Sequence, residues 1–193
     1  MQYWYYVQKN YILANRQCMW YTFEKHINTR RISDMNDTEL ILKAYEIIGN
    51  LTPLKSDCGR LCNAVCCKGD DDVGMALFPG EKELYVNRGG FEVTRTDYGM
   101  PLLLCNGMCD RKERPLACRI FPLAIVNKGG VMKVIADPRS RAMCPLYRSA
   151  VNGRLDAGFV RAVKRAGKIL FESEAIRRFT AEVFTQCEDF AGL

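Results

Sequence analysis

Apolar residues recur at helical spacing in the stretch that follows Asn36. The pattern predicts a helix capped by Asn36, with Glu39 as the capping-box partner, that ends at Gly49. Its apolar face is formed by Leu40, Ile41, Ala44, Ile47 and Ile48. Pro53 then starts the loop that leads to the first cysteine block.

The C-terminal third predicts two more amphipathic helices, capped by Asp156 and by Ser173. The buried face of the first is expected to carry Val160, Val163, Gly167 and Leu170. Its opposite side is basic, with Arg161, Lys164, Arg165 and Lys168, and is interpreted as a solvated face. The buried face of the second carries Ile176, Phe179, Val183, Phe184 and Cys187. We expect the two helices to pack together as a helical hairpin.

Short strand patterns fill the middle of the chain. Residues 74–78, 91–94 and 101–104 are strand-like, residues 81–86 form a short helix or turn, and 138–145 is a loop. Two apolar runs joined by residues 127–130 predict a β-hairpin. The sequence therefore predicts an α+β fold: a small cysteine-rich metal-binding core with short antiparallel strands, flanked by an N-proximal helix and a C-terminal helical hairpin.

The first 34 residues differ from the rest. They are rich in tyrosine and tryptophan without a clean period, and they carry three of the six net positive charges of the 193-residue chain. Two interpretations stay open: residues 1–34 are an extension upstream of a natural start at Met35, or an extra element that packs through its aromatic side chains. Residues 35–193 are predicted to form one cysteine-cluster domain.

Charge and hydropathy restrict the partners. A net charge of +6 is modest and argues against nucleic acid. No segment reaches the roughly 18 apolar residues that a membrane span needs, and polar residues interrupt any secretory apolar region at the N-terminus. We therefore expect a cytoplasmic protein that meets another protein and no membrane.

Cysteine is the residue that carries candidate chemistry. An upstream block holds Cys58, Cys62, Cys66 and Cys67, and a downstream block holds Cys105, Cys109, Cys118 and Cys144. The only histidine, His26, is remote in sequence. Closely spaced thiolates suit soft metals, so the eight cysteines are predicted ligands of zinc or of an iron–sulfur cluster.

The spacing bears on the geometry and on the metal. In a helix, Cys58, Cys62 and Cys66 would share one face, and Cys67 would then point elsewhere, as a ligand of a second centre or as a free thiol. Classical zinc sites use pairs separated by two residues, whereas these pairs are separated by three. Iron–sulfur clusters accept more varied spacing, so an iron–sulfur cluster is preferred and zinc is the alternative. A reducing location argues against disulfides.

One string within the downstream block is specific. Residues 114–122 read RPLACRIFP, and together with the cysteines they resemble the YkgJ-like CxxCxxCC cysteine-cluster family, a zinc- or iron-chelating domain, over residues 57–145. The resemblance implies metal binding through the cysteines. That family is similar to part of flagellin lysine N-methylase, which implies a second alternative, a component of a protein lysine-methylation activity. The sequence departs from the family where each upstream gap is one residue longer and where Arg111-Lys112 replaces an apolar-aromatic pair.

Neighbouring polar residues complete the predicted site. Arg114 and Arg119 can offset the negative charge of a thiolate-rich centre and donate to sulfur or to a carboxylate. Asp57 is a cap of the upstream block or an oxygen ligand, and Gly107 would let backbone approach the sulfurs. No phosphate-binding loop, dinucleotide fingerprint or histidine-based nucleophile is present, so no self-sufficient catalytic constellation is predicted. The predicted function is metal binding at an all-cysteine site with a structural or redox role.

Overall fold

The chain divides between Met35 and Asn36 into two units in the computed structural model. The structure describes residues 31–67, 74–96, 99–107 and 109–192. In the first unit it describes a short 3-10 helix, Ile32–Asp34. The predictions for the aromatic segment up to residue 30 lie outside the described residues, as does His26.

The N-proximal helix α1 (Asp37–Ile48) begins and ends where the sequence predicts. The Asn36 side chain accepts from the Glu39 amide at 2.9 Å, and the Glu39 carboxylate accepts from the Asn36 amide at 2.8 Å. This reciprocal pair satisfies two amides that a helix start leaves without partners. Of the predicted apolar face, Leu40, Ile41, Ala44 and Ile48 are buried.

Two long helices end the chain, α5 (Ala157–Leu170) and α6 (Glu174–Ala191). Both predicted caps are confirmed: Asp156 accepts from the Phe159 amide and Ser173 from the Ile176 amide. The two helices do not pack mainly on each other, as the expected hairpin requires. Helix α5 packs chiefly on α1, and α6 packs chiefly on the strand Leu123–Lys128. The basic side of α5 is exposed, as expected.

A three-stranded antiparallel sheet lies beside the cysteine segments. It contains β1 (Met75–Ala76), β2 (Phe91–Arg95) and β3 (Pro101–Cys105), with β3 in the centre. Buried Leu77, Tyr85 and Leu103 form its core cluster. The register pairs Phe91 with Cys105, which fixes where β3 delivers its cysteine. Residues 82–84 form a 3-10 helix (Lys82–Leu84), in agreement with the predicted short helix or turn.

The predicted β-hairpin is confirmed as β4 (Leu123–Lys128) and β5 (Val131–Ala136). Strand β4 runs two residues further into the expected turn of residues 127–130, which therefore consists of Gly129 and Gly130, both with positive φ. All four residues of Leu123–Val126 are buried, so both faces of β4 are covered. Helix α6 packs on β4, and α5 packs on β5.

Four short elements contain or flank Cys58, Cys62, Cys118 and Cys144. They are α2 (Gly59–Cys62), α3 (Leu116–Ile120), α4 (Tyr147–Val151) and a 3-10 helix, Pro138–Ala142, where the sequence predicted a loop. Helices with antiparallel strands in small sheets confirm the α+β class. Across the described ranges, every helix falls short of the length and apolar character that crossing a bilayer requires.

Candidate metal centre

The upstream block is not one helical face. Helix α2 stops at Cys62, and Asn63 and Ala64 both adopt left-handed backbone, with φ of 52° and 53°. A separate 3-10 helix, Val65–Cys67, then carries the last two cysteines. The predicted i, i+4, i+8 face of Cys58, Cys62 and Cys66 is therefore wrong, because the chain reverses its helical sense between the second and third thiols.

The two cysteine blocks meet at Gly107. This glycine has φ +74°, and a Cβ built on it would overlap the carbonyl oxygen of Cys67. The distance between the two atoms would be well under the 3.0 Å that Cβ atoms keep from other heavy atoms. Only glycine allows backbone to approach backbone so closely in this conformation. Residues 105–107 are thereby held against the end of the upstream block, through the Cys67 carbonyl and not through a sulfur as the sequence predicts for Gly107.

The thiols fall into two electrostatically coupled groups. The first thiol group contains Cys58, Cys62, Cys66 and Cys144. Burial raises the pKa of Cys58, and Cys144 and Cys62 raise it further. Burial also raises the pKa of Cys144, with Cys62 adding to the rise, while hydrogen bonds from the Leu146 and Tyr147 amides oppose it. Cysteine 144 thus joins the upstream block from a point far along the chain.

The second thiol group contains Cys67, Cys105, Cys109 and Cys118. Burial raises the pKa of Cys118, and its neighbours Cys67, Cys109 and Cys105 contribute further. Burial likewise raises the pKa of Cys109, with smaller contributions from Cys105 and Cys67. The thiols of this group come from the 3-10 helix, the end of β3, the following loop and α3.

Cysteines 66 and 67 join the two groups. A hydrogen bond between their side chains raises the pKa of Cys66 and lowers that of Cys67. Burial opposes the lowering at Cys67, and Arg114 adds to it. One proton shared between adjacent sulfurs makes Cys67 the most readily ionised of the pair. All nine cysteines of the described residues are free thiols.

Each thiol group has an arginine beside it. Arg114 hydrogen-bonds to Cys109 and is coupled to Cys67 and Cys118, and these interactions raise its pKa although burial acts to lower it. Arg111 is coupled to Cys58 of the first thiol group. In both arginines the Nε–H is buried and has no acceptor. Two donors without acceptors at a thiol cluster favour a negatively charged occupant.

Arg119 makes its hydrogen bonds to backbone carbonyls and not to the sulfur or carboxylate expected from the sequence. Its Nε donates to the Arg114 carbonyl at 2.7 Å, and its Nη2 to the Lys112 carbonyl at 2.5 Å. Its guanidinium carbon lies 3.9 Å from the centroid of the Tyr45 ring. The Arg119 residue is only 7 % exposed, and its hydrogen bonds hold the backbone of Lys112 and Arg114 in place.

Two features lie at the edge of the first thiol group. The Asp57 carboxylate accepts from the Gly59 amide at 3.1 Å, which is the capping role predicted for it. A cavity of about 630 Å³ opens beside Cys144 and is lined by Arg141, Tyr147 and Arg148, among others. The cavity gives solvent and small solutes access to that sulfur.

Proximity is not yet ligation. Within the part of the chain that the structure describes, no three His, Cys, Asp or Glu side chains are arranged to hold a metal ion. The thiols are neighbours in electrostatic range, and several carry raised pKa values because burial favours the protonated form. Metal binding would require their deprotonation and a closer approach of the segments that carry them.

Sequence reasoning missed four residues around the site: Arg111, Tyr45, Glu81 and Tyr85. No signal in the sequence pointed to Glu81, because it lies in the polar turn string PGEKE of residues 79–83, and its burial depends on the fold. Comparison with known proteins finds no matching family model, no similar curated protein and no similar solved structure.

Proposed function

We propose that the chain binds metal through Cys58, Cys62, Cys66, Cys67, Cys105, Cys109, Cys118 and Cys144, with an iron–sulfur cluster preferred and zinc as the alternative. One observation supports the proposal: eight thiols from distant parts of the chain lie within electrostatic range of one another in two groups of four, although no three of them are yet arranged as metal ligands in the described residues. Four thiolates are the ligand number of a structural zinc site and of the common iron–sulfur clusters.

The chemistry of the surrounding residues fits such a centre. Metal centres held by four thiolates are anionic, and the buried Nε–H groups of Arg111 and Arg114 would find acceptors there. The backbone amides of Leu146 and Tyr147 act to lower the pKa of Cys144, as donors near a sulfur do. Hydrogen bonds to sulfur stabilise the thiolate and, in an iron–sulfur protein, tune the reduction potential.

A bound metal centre would supply either a cross-link between the segments that carry the thiols or an electron-accepting group. The chain's own contribution is to hold the thiols, offset their charge and control access. Cysteines 118 and 144 differ here, because Cys118 has the buried Glu81 carboxylate as a neighbour and Cys144 lines the cavity of about 630 Å³. The side of the first thiol group is therefore where a protein partner or small reactant would reach the centre in a redox role.

The test is anaerobic purification of the full chain, followed by metal and sulfide analysis and an optical spectrum. Iron with sulfide and a visible charge-transfer band that bleaches on reduction supports the preferred form, and stoichiometric zinc without sulfide supports the alternative. Cys118→Ser is expected to lower the metal content, whereas the matched Cys187→Ser, at a buried cysteine on α6, is expected to leave it unchanged. A colourless wild-type chain without metal would refute both forms.

The metal-to-protein ratio also reports how the thiols are used. Two centres of four thiols each give a ratio for zinc near two, which falls to about one in Cys118→Ser and in Cys58→Ser separately. One shared centre instead loses all metal in either variant. The cytoplasmic location, the protein partner and the lysine-methylation role implied by the family resemblance stay predictions.

A further inference from the structure

A buried carboxylate lies behind the second thiol group. Glu81 is fully buried, and its oxygens accept from the Phe78 amide at 3.0 Å, from the Leu116 amide at 2.5 Å and from the Tyr45 hydroxyl. Burial raises the pKa of Glu81, and these donors together with Arg119 act against that rise. The turn that delivers it is fixed, because a Cβ on Gly80 would lie 2.5 Å from the Thr38 nitrogen of α1.

Two tyrosines extend the contacts of this carboxylate. The Tyr45 and Tyr85 hydroxyl oxygens lie 3.3 Å apart, and Tyr85 donates to the Glu113 carbonyl at 2.8 Å. Tyr85 is 1 % exposed. The three side chains come from α1, from the turn after β1 and from the end of the next 3-10 helix, so they join elements that are distant in sequence.

All three side chains contact one segment, Glu113–Arg119. Tyr85 binds its first carbonyl, Glu81 binds the first amide of α3 at Leu116, and the Tyr45 ring packs under the Arg119 guanidinium. No side chain of the preceding residue caps α3, so Glu81 takes that role from a distance. The same segment carries Arg114 and Cys118 to the second thiol group.

We propose that Tyr45, Glu81 and Tyr85 are positioning residues that hold Arg114 and Cys118 in place for the metal centre. Burying a carboxylate and two hydroxyl groups costs free energy that an apolar core would avoid. Hydrogen bonds are directional, and they fix the segment at both ends where apolar packing would allow it to slide. The inference deepens the proposed function and rests on it for the metal readout alone.

The test compares two variants of the full chain, each of which removes one buried hydroxyl. Tyr85→Phe removes the bond to Glu113, and the control Thr180→Val removes a bond to the Ile176 carbonyl within α6. The probe is Co²⁺ alone, added to the reduced, metal-free protein under anaerobic conditions. Its thiolate-to-metal absorbance reports how many sulfurs bind.

We expect Tyr85→Phe to weaken Co²⁺ binding about tenfold and to reduce the thiolate absorbance, as the loss of an outer contact of a metal site does. We expect Thr180→Val to change neither the Co²⁺ affinity nor the thiolate absorbance, although both variants should unfold at a lower denaturant concentration than the wild type. Equal Co²⁺ behaviour in the two variants would overturn the positioning role and leave a contribution to stability alone. Glu81→Gln serves as a second variant should Tyr85→Phe fail to fold.

A metal-independent readout separates this inference from the proposed function. In the metal-free protein, Tyr85→Phe is expected to speed alkylation of Cys118 and hydrogen exchange across residues 113–119, with Cys187 unchanged. Thr180→Val is expected to change the alkylation rate of Cys187, which lies on the same helix, and to leave the alkylation rate of Cys118 unchanged. A wild-type chain that binds no Co²⁺ refutes the metal centre, whereas an unchanged Cys118 rate in Tyr85→Phe refutes the positioning role.

Discussion

Replacement of Gly107 by alanine tests the contact that joins the two cysteine blocks. The variant adds one methyl group at a residue with φ +74°, and this methyl would overlap the carbonyl oxygen of Cys67. Alanine in left-handed backbone costs about 1–2 kcal/mol, and forced overpacking costs about 1–3 kcal/mol more. The sum predicts a loss of about 2–5 kcal/mol.

The chain offers a matched control in Gly130. It has φ +83° in the turn between β4 and β5, and a Cβ there meets no heavy atom within 4 Å. Gly130→Ala therefore carries the left-handed penalty without the overlap, and the effect of alanine on the unfolded chain is the same in both variants. The difference between the two variants isolates the contact with Cys67.

Denaturant unfolding of the metal-free variants and Co²⁺ titration of the reduced proteins measure the two effects. We expect Gly107→Ala to lose about 1–3 kcal/mol more stability than Gly130→Ala, and to bind Co²⁺ at least tenfold more weakly, while Gly130→Ala binds it as the wild type does. Equal stability losses and equal Co²⁺ affinities in the two variants would refute the packing of Gly107 on Cys67.

Three other predictions address charge, titration and capping. Arg114→Gln should weaken metal binding about tenfold, because it removes a cation from beside the thiolates. The control Arg178→Gln, which removes an exposed ion pair with 3.9 Å separation, should leave metal binding unchanged. Competition with a chromophoric chelator measures both affinities, and equal affinities would contradict the role of Arg114. Burial raises the pKa of Cys187 to about 11, so the folded thiol keeps its proton while the unfolded thiol ionises near pH 9. The stability of the wild type relative to Cys187→Ala should therefore fall between about pH 9 and 11, by at most about 3 kcal/mol. A stability difference that is independent of pH would show that the thiol titrates normally. Asn36→Ala should cost about 1 kcal/mol in urea unfolding with an unchanged m value, and no loss would mean that the capping box does not stabilise α1.

Local signals located most of the secondary structure. Caps at Asn36, Asp156 and Ser173 were found because a cap depends on neighbours within four residues. The hairpin of β4 and β5 was found because residues 127–130, which end in two glycines, separate two apolar runs. The packing of α5 on α1 was not predicted, since amphipathic faces do not specify which other face covers them.

The site was predicted in composition and not in geometry. The eight candidate ligands follow from residue type and spacing, but the break after Cys62 depends on left-handed Ala64, a conformation that alanine does not adopt from local preference. The place of Cys144 beside Cys62 depends on tertiary contacts across more than eighty residues. Arg119 carried the expected charge, yet its partners, the Tyr45 ring and two carbonyls, come together only in the fold.

Site-resolved alkylation tests the metal centre most directly. The anaerobically purified protein is alkylated before and after metal removal, and each modified cysteine is identified by mass spectrometry. The proposal predicts that Cys58, Cys62, Cys66, Cys67, Cys105, Cys109, Cys118 and Cys144 are protected in the purified protein and react once the metal is gone, whereas buried Cys187 stays unreactive in both states. Rapid labelling of those eight thiols before metal removal would contradict the claim that they hold a metal.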